Sequence, residues 1–218
     1  MKFQAVLFDL DGTLLDTAGG LAATMNSVLS LHNLPVHDIA FYKKIIGKGF
    51  RNLVMQSLPT GKQMSEVIDA VYKEAQKEYG KRCLPETRIF TGVLPLLNEL
   101  KKIDMKMAVF SNKENSFTQS LVKGLLGNDY FSEVSGIIPG VTPEKPDPTE
   151  VLNICRNMKI NPGNWIYLGD SDIDMKTAQS SGMYPVGASW GYQSITQIQE
   201  GGAKKLIDYP NELLQLIN

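Results

Sequence analysis

Short apolar runs alternate with helical patterns along most of the chain. Phe3 to Phe8 is strongly apolar and stops at Asp9, the pattern of a buried strand. Met107–Phe110, Val134–Ile138, Trp165–Leu168 and Val186–Ala188 repeat it, the last most weakly because Pro185 precedes it. Between these runs Val93, Leu97 and Leu100, then Phe117, Leu121 and Leu125, then Val151, Leu152 and Cys155 fall at the spacing of one helix face. Strands separated by single helices predict βαβ units and a parallel sheet covered on both faces. The expected fold class is α/β.

One interval breaks the alternation. From about residue 16 to 85 there is no convincing strand, only helical periodicity. Leu21, Met25, Val28 and Leu29 share one face, and Val67, Ile68, Val71, Tyr72, Ala75 and Tyr79 share another. A crossover needs only about a dozen residues, so the economical reading is a helical unit inserted after the first strand. Residues 16–85 then form the insertion, and 1–15 with 86–218 the core. The joints are expected at Thr17 to Gly20 and at Gly80 to Arg88, which contains Pro85.

Composition narrows the class. The 218 residues carry a formal net charge of -1, which argues against nucleic-acid or anionic-membrane binding by electrostatics alone. No run approaches the roughly 18 apolar residues of a membrane span. The opening MKFQAVLFDLDG turns acidic where a secretory signal would still be apolar, so a cytoplasmic protein is expected. Cys83 and Cys155 are too few for a disulfide framework or a cysteine metal site. An enzyme or small-molecule binder remains, as a monomer or homodimer.

Ligands of open parallel sheets bind beyond the carboxyl ends of the strands. Here those ends carry FDLDGTLLDT (8–17), VFSNK (109–113) and IYLGDSDIDM (166–175), with PEKPDP (143–148) in a later loop. Asp9 and Asp11 lie two apart, so in an extended chain they leave on the same side. Gly12 permits a tight exit and close approach of the backbone to a ligand. With Asp170 and Asp174 the carboxylates would repel unless a cation intervened, and a hard divalent ion such as Mg²⁺ suits oxygen ligands. Its companion would be a phosphate group, held by Ser111, the Asn112 amide and Lys145. Ser111 and Asn112 also fit an N-cap for a helix starting near Asn115, and Asp172 reads as solvent-facing or a cap.

These four motifs, in this order and at this spacing, resemble those of the haloacid-dehalogenase-type phosphatases, and compatible strands and loops cover essentially the whole chain. The insertion is similar to that family's C1-type helical cap. IGKGFRNLV (46–54), the SNK of the second motif and SWGY (189–192) resemble its phosphoglycolate-phosphatase-like group. The resemblance implies a Rossmann-like core and a Mg²⁺-dependent phosphatase acting on a small phosphorylated metabolite, with 2-phosphoglycolate the leading candidate. Inorganic pyrophosphatase and a sugar phosphomutase of the β-phosphoglucomutase type are the nearest alternatives. A receiver-type signalling module would lack the large insertion and would not need Asp11.

By the same resemblance Asp9 is the nucleophile and forms an aspartyl-phosphate, while Asp11 is the general acid and base. Mg²⁺ would lie between the Asp9 carboxylate, the Asp11 backbone carbonyl and Asp170. Asp174 would contact the metal through water or orient Lys145, and Ser111 and Lys145 would meet the phosphoryl charge. Gly47 to Arg51 are expected to face the substrate, with Arg51 or Lys48 reading an anionic group beyond the phosphate; a helix start with solvated basic residues is the alternative. Lys113 fits either leaving-group recognition or a surface salt bridge. His32 and His37 read as structural or exposed, the two cysteines as packing residues, and Tyr42, Phe50 and Tyr72 as packing of the insertion.

Overall fold

A computed structural model describes residues 3–217. The predicted runs become β1 (Ala5–Phe8), β4 (Lys106–Glu114), β5 (Glu133–Ile137), β6 (Trp165–Gly169) and β7 (Tyr184–Ala188). With β8 (Lys205–Ile207) they form one sheet of order β5-β4-β1-β6-β7-β8, every pair parallel. The edge strand β8 offers only two apolar residues beside lysines and was not expected from the sequence.

Side chains alternate across this sheet, and both faces are buried. Ala5, Leu7, Ala108, Phe110, Trp165 and Tyr167 join Val151 and Ile154 of α7 (Thr149–Met158) in one cluster. Val6, Phe8, Met107, Val109, Ile166 and Leu168 join Leu97 and Leu100 of α5 (Val93–Lys102) in the other. Burial on two sides explains why the central strands read as continuous apolar runs rather than alternating ones.

Between β1 and β4 the chain is helical, as the periodicity predicts: α1 (Ala18–Leu31), α2 (Ile39–Ile45), α3 (Phe50–Ser57) and α4 (Ser65–Arg82). Where these helices leave and rejoin the sheet domain, β2 (Leu15–Asp16) and β3 (Arg88–Ile89) form a two-residue antiparallel pair. That pair is too short to leave a pattern in the sequence. The apolar faces of α1 and α4 pack on each other, and their residues belong to the same cluster as one face of the sheet. No helix among the described residues is long and apolar enough to cross a membrane.

The topology positions the site. From β1 the chain moves outward through β4 to β5, then returns to the other side of β1 as β6. The strand order reverses between β1 and β6, and that switch point is where a parallel sheet opens a crevice for ligands.

Candidate active site

Asp9 leaves β1 at that crevice, its backbone N–H donating to Leu168 of β6 at 2.9 Å. The turn that follows packs against the end of β6. Gly12 has φ +90°, and a Cβ there would fall 2.2 Å from Asp170 Oδ2. The neighbour this glycine admits is thus the Asp170 carboxylate, where a ligand was expected.

From the other side of the sheet, Lys145 brings in the central cation. Its Nζ donates to Asp9 Oδ1 at 2.5 Å, to Asp174 Oδ1 at 2.7 Å and to the Phe110 carbonyl at 3.2 Å. Asp174 lies in the first turn of α8 (Asp172–Ser181), where it forms a capping box with Ser171. Its Oδ2 accepts from the Ser171 amide at 3.1 Å and hydroxyl at 2.5 Å, and its Oδ1 also accepts from the Tyr167 hydroxyl at 3.3 Å. A carboxylate with so many donors is fixed in place, and Asp174 thereby orients Lys145.

Oxygens of Asp9, Asp170 and Asp174 all lie within 4.8 Å of one another, and all three residues are buried. Burial pushes Asp9 up to about 7, with Lys145 opposing the shift and the Asp174 charge adding to it. Burial, with the Asp9 and Asp174 charges, also raises Asp170 well above the carboxylate range. One ammonium does not balance three buried carboxylates. The all-oxygen donor set and this excess negative charge fit a hard divalent cation.

The Asp11 carboxylate is not part of this cluster. Its Oδ1 accepts from the Thr17 hydroxyl at 2.6 Å, and its Oδ2 lies 3.2 Å from Lys113 Nζ. Lys113 is not on the surface: it is buried, and its Nζ also donates to the Tyr79 hydroxyl of α4 at 3.0 Å.

Other expectations need correction. Ser111 and Asn112 cap no helix, because β4 runs on to Glu114 before α6 (Asn115–Leu121) begins. Ser111 Oγ, buried, accepts from the Lys113 amide at 3.2 Å. Asn112 is engaged with backbone: its Oδ1 accepts from Lys145 N at 2.7 Å, and its Nδ2 donates to the Gly47 carbonyl at 3.0 Å. It positions the Lys145 loop instead of offering a free amide to phosphate. Arg51, expected to face the substrate, is half-exposed and pairs with Asp69 Oδ1 at 2.6 Å, joining α3 to α4. Lys48 is exposed. Gly49 precedes α3, so the basic residues of this stretch sit at a helix start.

Gly47 does reach the site. A cavity of about 20 Å³ lies against Gly47 and Asn112, walled by Leu21, Ile46, Phe50 and Leu53 from the helical insertion and by Asp11 and Lys113 from the core. A second cavity on the other side of Asp11 touches Asp9, Lys145, Asp170 and Asp174, and Ile46 and Gly47 border it too.

The remaining candidates lie elsewhere. His32 meets Glu74 at 2.8 Å on the exposed surface, and His37 stacks on Phe41. Cys83 and Cys155 are buried free thiols, and burial pushes Cys155 up to about 11. Asp172 opens α8 and pairs with Lys176 at 2.5 Å. Three further residues contribute that the sequence pattern does not mark as site residues: Thr17 at the joint of the insertion, Tyr79 on an apolar helix face, and Tyr192 in SWGY.

Residues 6–188 match the family described as haloacid dehalogenase-like hydrolase. The chain is similar to a phosphoglycolate phosphatase of Nitrosospira multiformis, at 32% identity over 100% of this chain and 96% of the relative. It is also similar to an N-acetylmuramic acid 6-phosphate phosphatase of Pseudomonas aeruginosa, at 28% identity over 100% and 96% of the two chains. Among solved structures, a candidate phosphoglycolate phosphatase of Lactobacillus delbrueckii subsp. bulgaricus superposes with a TM-score of 0.92 at 26% identity, covering 100% of this chain and 99% of that one. A haloacid dehalogenase-like hydrolase of Streptococcus pneumoniae shares the fold, with a TM-score of 0.88 at 20% identity and coverage of 100% and 99%.

Proposed function

Because the chain belongs to the haloacid dehalogenase-like hydrolases and is a phosphoric monoester hydrolase, we propose that it hydrolyses a small phosphorylated metabolite with Mg²⁺, through a phosphoryl intermediate on Asp9. The observation that carries this reading is Lys145 held between Asp9 and Asp174, with Asp170 completing a buried carboxylate cluster. In this reading residues 16–85 act as the cap, and 1–15 with 86–218 as the catalytic core.

Asp9 Oδ attacks phosphorus, and the bond from phosphorus to the leaving oxygen breaks. Asp11 gives its proton to that oxygen, then takes one from the water that attacks the same phosphorus; phosphate leaves and the Asp9 carboxylate is restored. Lys145 favours the ionised, nucleophilic form of Asp9 and stays beside the transferring group. Ser111 is the nearby hydroxyl for a phosphoryl oxygen. Asp9, Asp170 and the Asp11 carbonyl would hold Mg²⁺, which would screen the carboxylates from the incoming phosphate.

The leaving group is proposed to lie beside Asp11, where a small cavity opens. The cavity is mostly apolar, and its one ammonium, Lys113, loses its partner charge whenever Asp11 holds a proton. Its volume is about one water's, so it selects no leaving group by size; 2-phosphoglycolate is the proposed substrate because of the similarity to the phosphoglycolate phosphatase of Nitrosospira multiformis. A panel of phosphate esters with Mg²⁺, including N-acetylmuramic acid 6-phosphate, pyrophosphate and β-glucose 1-phosphate, tests this. A kcat/KM at least about tenfold higher for 2-phosphoglycolate, roughly 1.4 kcal/mol of discrimination, is expected. A preference for the sugar phosphates or pyrophosphate would overturn the substrate assignment.

A further inference from the structure

We infer that Tyr192 is a positioning residue that joins the carboxylate cluster to the start of the helical insertion, so that an ion at the cluster and the seating of α1 favour one another. The inference rests on the ion site of the reading above but not on its substrate.

Tyr192 makes contacts in two directions. Its backbone N–H donates to Asp170 Oδ2 at 2.7 Å. Its phenol O–H donates to Asp16 Oδ1 at 2.9 Å and accepts from the Thr17 amide at 2.8 Å and the Ala18 amide at 3.1 Å. Those are the first amides of α1. The N-cap residue Thr17 gives its own hydroxyl to Asp11 and offers the helix no side-chain cap. The phenol therefore holds the Thr17 and Ala18 amides from the core, with the local Asp16 Oδ1 also accepting from the Ala18 amide at 3.3 Å.

The neighbours of Tyr192 act on the same two partners. Trp190 Nε1 donates to the Thr13 carbonyl at 3.0 Å, and Thr13 Oγ1 lies 3.3 Å from Asp170 Oδ1. At Gly191 a Cβ would fall 2.2 Å from Asp170 Cβ, so the loop closes on that residue at the nearest approach a backbone can make. Each oxygen of Asp170 is thus held by a group tied to residues 13–18. If α1 shifts from the core, the Thr17 amide loses its acceptor, the Ala18 amide keeps only Asp16, and the loop holding Asp170 loses its anchor. Any coupling of this kind is reciprocal: what ion binding does to α1, the seating of α1 does to ion binding.

Tyr192→Phe removes only the hydroxyl, keeping the ring and the backbone N–H to Asp170. Hydrogen exchange at the Thr17 and Ala18 amides and calorimetric Mg²⁺ titration, both without substrate, read the coupling. In the wild type, saturating Mg²⁺ should slow exchange at these amides several-fold. In Tyr192→Phe, exchange without the ion should quicken about tenfold, the slowing by Mg²⁺ should vanish, and the Mg²⁺ dissociation constant should rise several-fold. Asp16→Ala removes the phenol's acceptor and also an acceptor of the Ala18 amide, so its readouts are the Thr17 amide and the Mg²⁺ constant, which should move in the same direction as in Tyr192→Phe. Faster exchange with an unchanged Mg²⁺ constant would reduce Tyr192 to a helix cap and overturn the inference, as would a wild type whose exchange ignores Mg²⁺. A wild type that shows the coupling but hydrolyses no ester would instead overturn the phosphatase reading alone.

Discussion

Lys113 Nζ lies 3.2 Å from Asp11 Oδ2, with side chains only 4% and 6% exposed. The pair joins the end of β4 to the loop after β1, and Tyr79 of α4 completes it as acceptor from the same ammonium. Asp11, proposed to exchange protons with substrate, is therefore held by a partner that Tyr79 of α4 itself secures.

Lys113→Met should destabilise the protein by about 3–5 kcal/mol, because it leaves a buried carboxylate without its counter-charge. Adding Asp11→Asn should recover part of that loss. Denaturant unfolding of the two single variants and the double variant forms the cycle that measures it. Additive losses would show that the two side chains do not interact.

The carboxylate cluster makes stability depend on pH and on metal together. Burial pushes Asp9 from 3.8 to about 7, Lys145 opposing and Asp174 adding, and raises Asp170 as well. Between these two values the native state keeps a proton on Asp9 that the unfolded chain has released. The native state then binds more protons, so stability falls as pH rises through this window. The melting temperature of metal-free protein should drop between about pH 5 and pH 7.5. Mg²⁺, which favours the ionised carboxylates, should reduce the drop, and Asp9→Asn should flatten it. A metal-free melting temperature equally steep in Asp9→Asn would contradict the assignment.

Arg51→Ala should change kcat/KM by less than about twofold and stability by less than about 1 kcal/mol, the range of exposed ion pairs. The guanidinium sits on Asp69, and Arg51 does not line the small cavity. A loss of tenfold or more, confined to substrates with an anionic leaving group, would show that Arg51 leaves Asp69 to meet them.

How much was legible in the sequence depends on how local each feature is. The central strands announce themselves because both faces are apolar, whereas β8 and the β2–β3 pair are too short or too polar to show a period. Asp9 and Asp170 were readable because each directly follows a strand, whereas Lys145, in the loop after β5, and Asp174, in the first turn of α8, stood out through the motifs that contain them. The partner of Lys113 was not, since Tyr79 reaches it only through the packing of α4 on the core. Arg51 was misplaced for the converse reason: its partner Asp69 lies on the next helix, where no sequence spacing pairs them. Nor could spacing show that Asn112 would turn to the backbone of Lys145.

The central claim is that Asp9 carries the phosphoryl group, and chemical trapping reads it directly. Protein quenched in acid during turnover and reduced with borohydride should contain homoserine at position 9, the product of reducing an aspartyl-phosphate. Neither substrate-free protein nor Asp9→Asn should show it, and Asp9→Asn should be inactive yet folded. Turnover with position 9 unmodified, together with an active Asp9→Asn, would contradict the account.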